Sequence, residues 1–211
     1  MKLAPILVVS AVFATLAMAQ RWEFGGGAGG GFYISDDITS PAGNASGKIT
    51  TNLDASVWLG NNGAGHWGGE LRYDFQLGDL ELTSGGTKAT FAAQTHSIHY
   101  DVVWNFTTPE AAVRPFVAVG AGIKDYVGTG TQVAYQPLEG IALLTKASDL
   151  TPLASAGAGF KFQLSRHVNF RIEVRDYLTP FPKQVITPNT GAKVSGWLQD
   201  FVPLAGISYT N

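Results

Sequence analysis

Val168-Asn169-Phe170-Arg171-Ile172-Glu173-Val174-Arg175 is the stretch from which the fold can be read. Val168, Phe170, Ile172 and Val174 share one parity, and Asn169, Arg171, Glu173 and Arg175 share the other. Successive side chains of a strand point to opposite faces, whereas a helical period of about 3.6 would mix the two sets. The stretch is therefore a strand with one apolar face and one charged face.

The same period extends on both sides of it. In 66–77, Trp67, Leu71, Tyr73, Phe75 and Leu77 oppose His66, Glu70, Arg72, Asp74 and Gln76. In 96–106, Ile98, Tyr100, Val102, Trp104 and Phe106 oppose Ser97, His99, Asp101, Val103 and Asn105. In 53–60, Leu53, Ala55, Val57 and Leu59 oppose Asp54, Ser56, Trp58 and Gly60. Val119-Gly120-Ala121-Gly122-Ile123-Lys124 recurs in weaker form as Ala156-Gly157-Ala158-Gly159-Phe160-Lys161, with glycines and lysine on one face. The glycine-rich segment 22–33 keeps Trp22, Phe24, Ala28 and Phe32 together. The segment 197–209 aligns Trp197, Phe201, Ala205, Ile207 and Tyr209, although Pro203 lies inside it and cannot donate to a ladder.

These readings predict eight strands, at 22–33, 49–60, 66–78, 94–106, 115–127, 152–164, 168–177 and 197–209. Short links at 61–65, 107–114 and 165–167 alternate with long ones at 34–48, 79–93, 128–151 and 178–196. An even number of tilted strands of about 9–11 residues, with short turns at one end and long loops at the other, suits a transmembrane barrel. The expected fold class is all-β: an eight-stranded antiparallel up-and-down transmembrane β-barrel spanning 20–211 after a signal peptide at 1–19.

The signal is read from a short positive start at Met1-Lys2, an apolar run from Leu3 to about Leu16, and Ala17-Met18-Ala19, a small-x-small cleavage pattern before Gln20. The chain has no cysteine, which excludes disulfides, thiolate chemistry and thiolate metal sites. Charged residues make up 14% of it, against about 25% in ordinary soluble domains. A net charge of -2 gives no reason to expect nucleic acid as a partner.

Two features point to a family. Arg114-Pro115-Phe116-Val117-Ala118-Val119-Gly120-Ala121-Gly122 is similar to a Pro-aromatic-x-x-x-Gly-x-Gly strand opening. Gly206-Ile207-Ser208-Tyr209 resembles a glycine-plus-aromatic terminal strand, here followed by Thr210-Asn211. With the glycine-rich first strand, the chain resembles the OmpA/OmpX-like small outer-membrane β-barrel domains. The resemblance implies a monomer in the outer-membrane lipid of a bacterium, inserted by the barrel assembly machinery. Its expected role is structural, adhesive or in envelope integrity.

Alternation alone does not say which face is outside. A soluble lipocalin-like barrel binding a small apolar ligand would turn the apolar faces inward. Charges on the polar faces favour lipid outside, as do Trp22, Trp67, Trp104, Phe106 and Tyr177, read as interfacial girdles. The polar faces then form a lumen holding Glu23, Asp54, Glu70, Asp74, Asp101 and Glu173 with Arg72, Lys124, Lys161, Arg171 and Arg175. An eight-stranded barrel is just wide enough for side chains to fill it, and buried charges must pair. This set is expected to be a structural charge network.

No catalytic, cofactor or metal site is expected. Among His66, His96, His99 and His167, only His99 has an acid, Asp101, on its own face nearby, and two ligands do not make a metal site. Ser165 and His167 share a face in a tight turn, the one trace of a barrel enzyme acting on lipid. Asp36-Asp37 with Asn44 reads as a solvated loop. Gly25-x-Gly27-x-x-Gly30 spells a dinucleotide fingerprint but lacks the following helix.

Overall fold

The computed structural model describes residues 21–61, 65–194 and 196–211. The expected signal at 1–19 lies outside the described residues. Within them the strands are β1 Trp22–Gly29, β2 Phe32–Ile34, β3 Asp36–Ser40, β4 Gly43–Asn61, β5 Trp67–Ser84, β6 Thr87–Asn105, β7 Val113–Gly128, β8 Ala142–Leu144, β9 Ser148–Gln163, β10 Val168–Pro180, β11 Ile186–Pro188, β12 Lys193–Val194 and β13 Trp197–Thr210. Eight of them, β1, β4, β5, β6, β7, β9, β10 and β13, form an antiparallel ring that closes where β1 pairs with both β4 and β13. Over the length of β1 this closure leaves no unpaired sheet edge among the described residues, which is what a bilayer core demands of backbone N–H and C=O groups. Each of the eight expected segments is one wall of this ring.

The wall reverses its polarity along its length. On β5, Glu70, Arg72, Asp74 and Gln76 point inward, and further along the same face come Leu80 and Leu82, fully buried. The opposite face is apolar from Trp67 to Leu77 and then turns to Asp79, Glu81 and Thr83. On β6 the inward residues run from Ala89, Phe91 and Ala93 to Thr95, Ser97, His99 and Asp101. Its outward residues run from Lys88 and Thr90 to Ile98, Tyr100 and Val102. One half of the ring is therefore built for lipid outside, and the other half like a water-soluble sandwich, apolar within. The eleven residues from Trp67 to Leu77, at about 3.3 Å each and tilted about 45°, cover roughly 25 Å, the height of a lipid-facing band.

The soluble-like half corrects two of the expected loops. Residues 79–93 are not a loop: β5 and β6 pair residue for residue up to Ser84↔Thr87. They turn through Gly85 and Gly86, whose φ angles of 53° and 85° form a tight hairpin turn that favours glycine. Residues 34–48 are also mostly paired, β3 folding back on β4 from Asp36↔Gly47 to Ser40↔Gly43. A register shift between Thr51 and Asp54 changes which parity of β4 faces in, so Ala45 and Ile49 on one side and Asp54, Ser56 and Trp58 on the other are all internal. Pro203 does sit inside β13, opposite Val174, with its side chain outward and its carbonyl accepting from Gly30 N–H at 3.3 Å.

The links 128–151 and 178–196 fold over this end of the ring. β8 pairs with β11, and β12 extends the sheet beside β3. Leu138, Ile141, Leu144, Phe181, Val185 and Ile186 from these links join Ile38, Ile49, Leu80, Leu82, Phe91 and Leu198 in one buried cluster. Burial of this kind contributes roughly 1.5–3 kcal/mol per large side chain, the main drive for closing the links over the ring. The long links are thus a lid with its own core.

Candidate functional site

Below the apolar lid the lumen is filled by charge. Glu70 on β5 accepts hydrogen bonds from Arg72 (Nε 3.1 Å, Nη2 2.9 Å), from Arg171 (Nη1 2.5 Å, Nη2 3.2 Å) and from Arg175 Nη2 at 3.0 Å. Glu173 accepts from Arg72 Nη2 at 2.5 Å, Arg171 Nη2 at 2.8 Å and Arg175 Nε at 3.0 Å. Arg175 Nη1 reaches Asp101 on β6 at 2.6 Å. Two-residue spacing along β5 and β10 stacks like-facing side chains, and the narrow ring lets them meet across the axis. All of these side chains are buried. Charged partners so close and so well bonded offset a desolvation cost of several kcal/mol per ion.

Toward the lid the network continues through Asp74. It accepts from His99 Nε2, Ser97 Oγ and Tyr177 Oη, each at 3.1 Å, and from Ser56 Oγ. His99 Nδ1 lies 3.1 Å from Asp101 Oδ1. With a carboxylate on each ring nitrogen, both nitrogens donate only if the ring is the imidazolium. Lys124 on β7 donates to Asp200 Oδ2 at 2.8 Å and Gln76 Oε1 at 3.0 Å, and Tyr33 Oη closes over Gln76 at 2.6 Å. Toward the chain termini, Lys161 donates to Glu23 at 2.6 Å.

Trp58 accounts for glycine at two strand positions, Gly25 and Gly206. Its indole lies where a side chain at Gly25 or Gly206 would be: a Cβ at Gly25 would stand 2.2 Å from Trp58 Cε2, and one at Gly206 2.7 Å from Trp58 Cη2. The ring in turn carries the guanidinium groups of Arg72 and Arg171 at 5.0 and 4.9 Å from its centre. That placement lets two buried cations share an aromatic face.

The structure thus brings together Glu70, Arg72, Asp74, Asp101, Arg171, Glu173 and Arg175 in one cluster, with Lys124 and Lys161 in flanking pairs. Asp54 is internal as expected, but its carboxylate has no hydrogen-bond partner among the described residues. Three inward residues were missed: Asp200 on β13, Arg114 at the start of β7, and His99, whose ring lies between Asp74 and Asp101. Tyr177 is corrected: it is no girdle residue but points into the lumen, 1% exposed, on the same parity as Arg175. Trp67 and Trp104 do meet on the outer face, ring centres 4.5 Å apart.

The other candidates disperse. The His167 ring faces Thr210 O at 2.9 Å, while Ser165 Oγ accepts from the backbone N–H of Val168 at 3.2 Å. Ser165 and His167 therefore do not form a nucleophile and base pair here. His66 Nδ1 reaches Asn105 O at 2.6 Å, and His96 lies outside against Tyr73 Oη at 2.7 Å. Asp36, Asp37 and Asn44 are spread along the β3–β4 ladder. Among the described residues no three His, Asp or Glu side chains are grouped to hold a metal ion.

A closed antiparallel ring with ion pairs inside and an apolar belt outside defines a transmembrane β-barrel. The family model of the outer membrane protein beta-barrel domain matches residues 5–195, and the chain belongs to that family. Its membrane is accordingly the bacterial outer membrane. Among solved structures, OprG from Pseudomonas aeruginosa matches with a TM-score of 0.61 at 13% identity, over 92% of this chain and 96% of that one. Neisserial surface protein A matches with a TM-score of 0.51 at 11% identity, over 90% and 96% of the two chains. Both share the fold. No curated protein matches the chain in sequence.

Proposed function

We propose that the protein is a sealed, non-catalytic outer-membrane barrel of the OmpA/OmpX-like type, with a structural, adhesive or envelope-integrity role carried by its lidded end. The observation that supports this reading is the filled lumen: the Glu70–Arg171–Glu173–Arg175 cluster crosses the axis, and the Leu80–Phe91–Ile186 core closes over it. Reacting groups need open space beside them, and the acids and arginines of this cluster, with His99, are occupied with one another. In a planar bilayer the protein should give no stable conductance of the size of a wide porin. A steady open level of that size would contradict the sealed reading.

The chain is exported on the 1–19 signal, inserted by the barrel assembly machinery and held as a monomer in lipid. No nucleic acid and no cofactor takes part. Intact mass measurement of the exported protein should give a chain starting at Gln20; a retained Met1 would contradict cleavage.

A further inference from the structure

At the end of the barrel where β1 starts and β13 stops, Arg114 turns its side chain into the mouth. The residue is 7% exposed, yet its Nε and Nη2 have no hydrogen-bond partner among the described residues. Those two nitrogens are the side-on fork of the guanidinium. Their parallel N–H bonds match two oxygens of a phosphate or carboxylate group. Inside the lumen these two nitrogens are both engaged on Arg72 and Arg175: Arg72 turns both onto Glu70 Oε1, and Arg175 divides them between Glu173 and Glu70. On Arg114 the same two nitrogens are unpartnered among the described residues, and buried charge-bearing donors without acceptors are costly.

Beside it is a cavity of about 40 Å³, bordered by Arg21, Glu23, Arg114, Lys161, Arg166 and Asn169 among others. A water needs roughly 10–15 Å³ by the same measure, so the space suits a few waters or one small oxyanion. The charges around it do not cancel. Glu23 is engaged by Lys161 at 2.6 Å, and Glu110 by Arg21 at 3.6 Å. Arg114 and Arg166 have no ion-pair partner within 4.0 Å among the described residues, so the described side chains at the mouth carry two cations in excess of their carboxylates.

We propose that this mouth is an oxyanion site in which the Arg114 fork grips a phosphate group, with Arg166 supplying the second positive charge. A phosphate dianion matches the two excess charges, and its tetrahedral oxygens serve a fork and a nearby cation together. The phosphate can come from solution or from a phospholipid headgroup at the rim; a headgroup phosphodiester presents the same pair of oxygens to the fork with one negative charge instead of two.

The test reads the Nε–H signals of ¹⁵N-arginine in the full barrel, folded in maltoside micelles without phosphate. Inorganic phosphate should move one signal saturably, and chloride at equal ionic strength should not. That signal should be missing in Arg114→Gln and in Arg114→Lys, two variants of which one suffices if the other does not fold. Phosphate binding followed by calorimetry should weaken by at least about tenfold in Arg114→Gln, the loss of one charge-assisted bidentate contact. In phosphatidylglycerol nanodiscs, a signal already displaced before phosphate is added identifies a headgroup as the occupant. Displacement only on adding phosphate identifies a free ion. If no arginine signal moves saturably with phosphate or phosphatidylglycerol, or if the one that moves persists in the Arg114 variants, the site does not exist.

Discussion

Glu70→Gln should lower the folding stability of the barrel by about 3–5 kcal/mol, the usual penalty for removing one partner of a buried ion pair. Glu70 is 2% exposed and accepts from three arginines. The amide keeps the shape but removes the charge, and its NH₂ group turns a donor toward guanidinium donors. Arg72, Arg171 and Arg175 are then left to share Glu173, Asp101 and Asp74. Urea unfolding in lipid vesicles, followed by tryptophan fluorescence and by gel mobility before and after boiling, measures the loss. Glu110→Gln is the control: its partner Arg21 lies 3.6 Å away, both side chains are more than half exposed, and an exposed pair contributes little. Pairing rather than packing is isolated by combining Glu70→Gln with Arg171→Met, which should recover part of the loss. Equal stability of Glu70→Gln and the wild type would show that the cluster is not a structural brace.

The second large effect concerns the outer surface. Ile172 lies mid-strand on β10, outward-facing, between Phe160 and Ala205. Ile172→Arg places a charge near the bilayer midplane and should cost roughly 2–4 kcal/mol. The same substitution at Thr90, outward on β6 but beyond the apolar belt, should change stability by less than about 0.5 kcal/mol, as solvated surface substitutions do. Leu82→Arg, on the inner face of the lidded half, should be severely destabilising, because it buries an unpaired charge among Ile38, Leu80 and Phe181. The three substitutions together test the reversal of polarity along the wall, in the same unfolding assay. A small effect at Ile172 with a large one at Thr90 would mean that the belt is misplaced.

Much of this was legible from period two. All eight ring strands and the inward parity of Glu70, Arg72, Asp74, Asp101, Arg171, Glu173 and Arg175 follow from alternation, because a lipid-facing belt forces a strict sort of side chains. Tyr177 was legible too, since it continues the parity of Arg171, Glu173 and Arg175. The length of β5 and β6 was harder to see. Past Leu77 the alternation continues but its sense reverses, with Leu80 and Leu82 inside and Asp79 outside. A stretch that looks loop-like by composition is therefore a strand leaving the membrane. Gly85-Gly86 between two alternating runs was the available signal for its hairpin. The β4 bulge, the union of His99 with Asp74 across strands, and the core that Leu138 and Ile186 share with Phe91 all depend on register or on distant pairing. One-dimensional pattern contains neither.

Below the lid the apolar outer faces meet lipid, and in the lidded half the outward residues are polar and meet water. Because the chain has no cysteine, single cysteines can carry a fluorophore at any chosen position. Val119, Phe170 and Val174 are outward-facing and 61%, 36% and 50% exposed in the ring. Thr90 and Lys88 are outward-facing on the lidded half. In vesicles containing lipids brominated on their acyl chains, labels at Val119, Phe170 and Val174 should be strongly quenched and labels at Thr90 and Lys88 should not. If the first three escape quenching, or if all five are quenched alike, the orientation of the wall and the boundary drawn along it are both wrong.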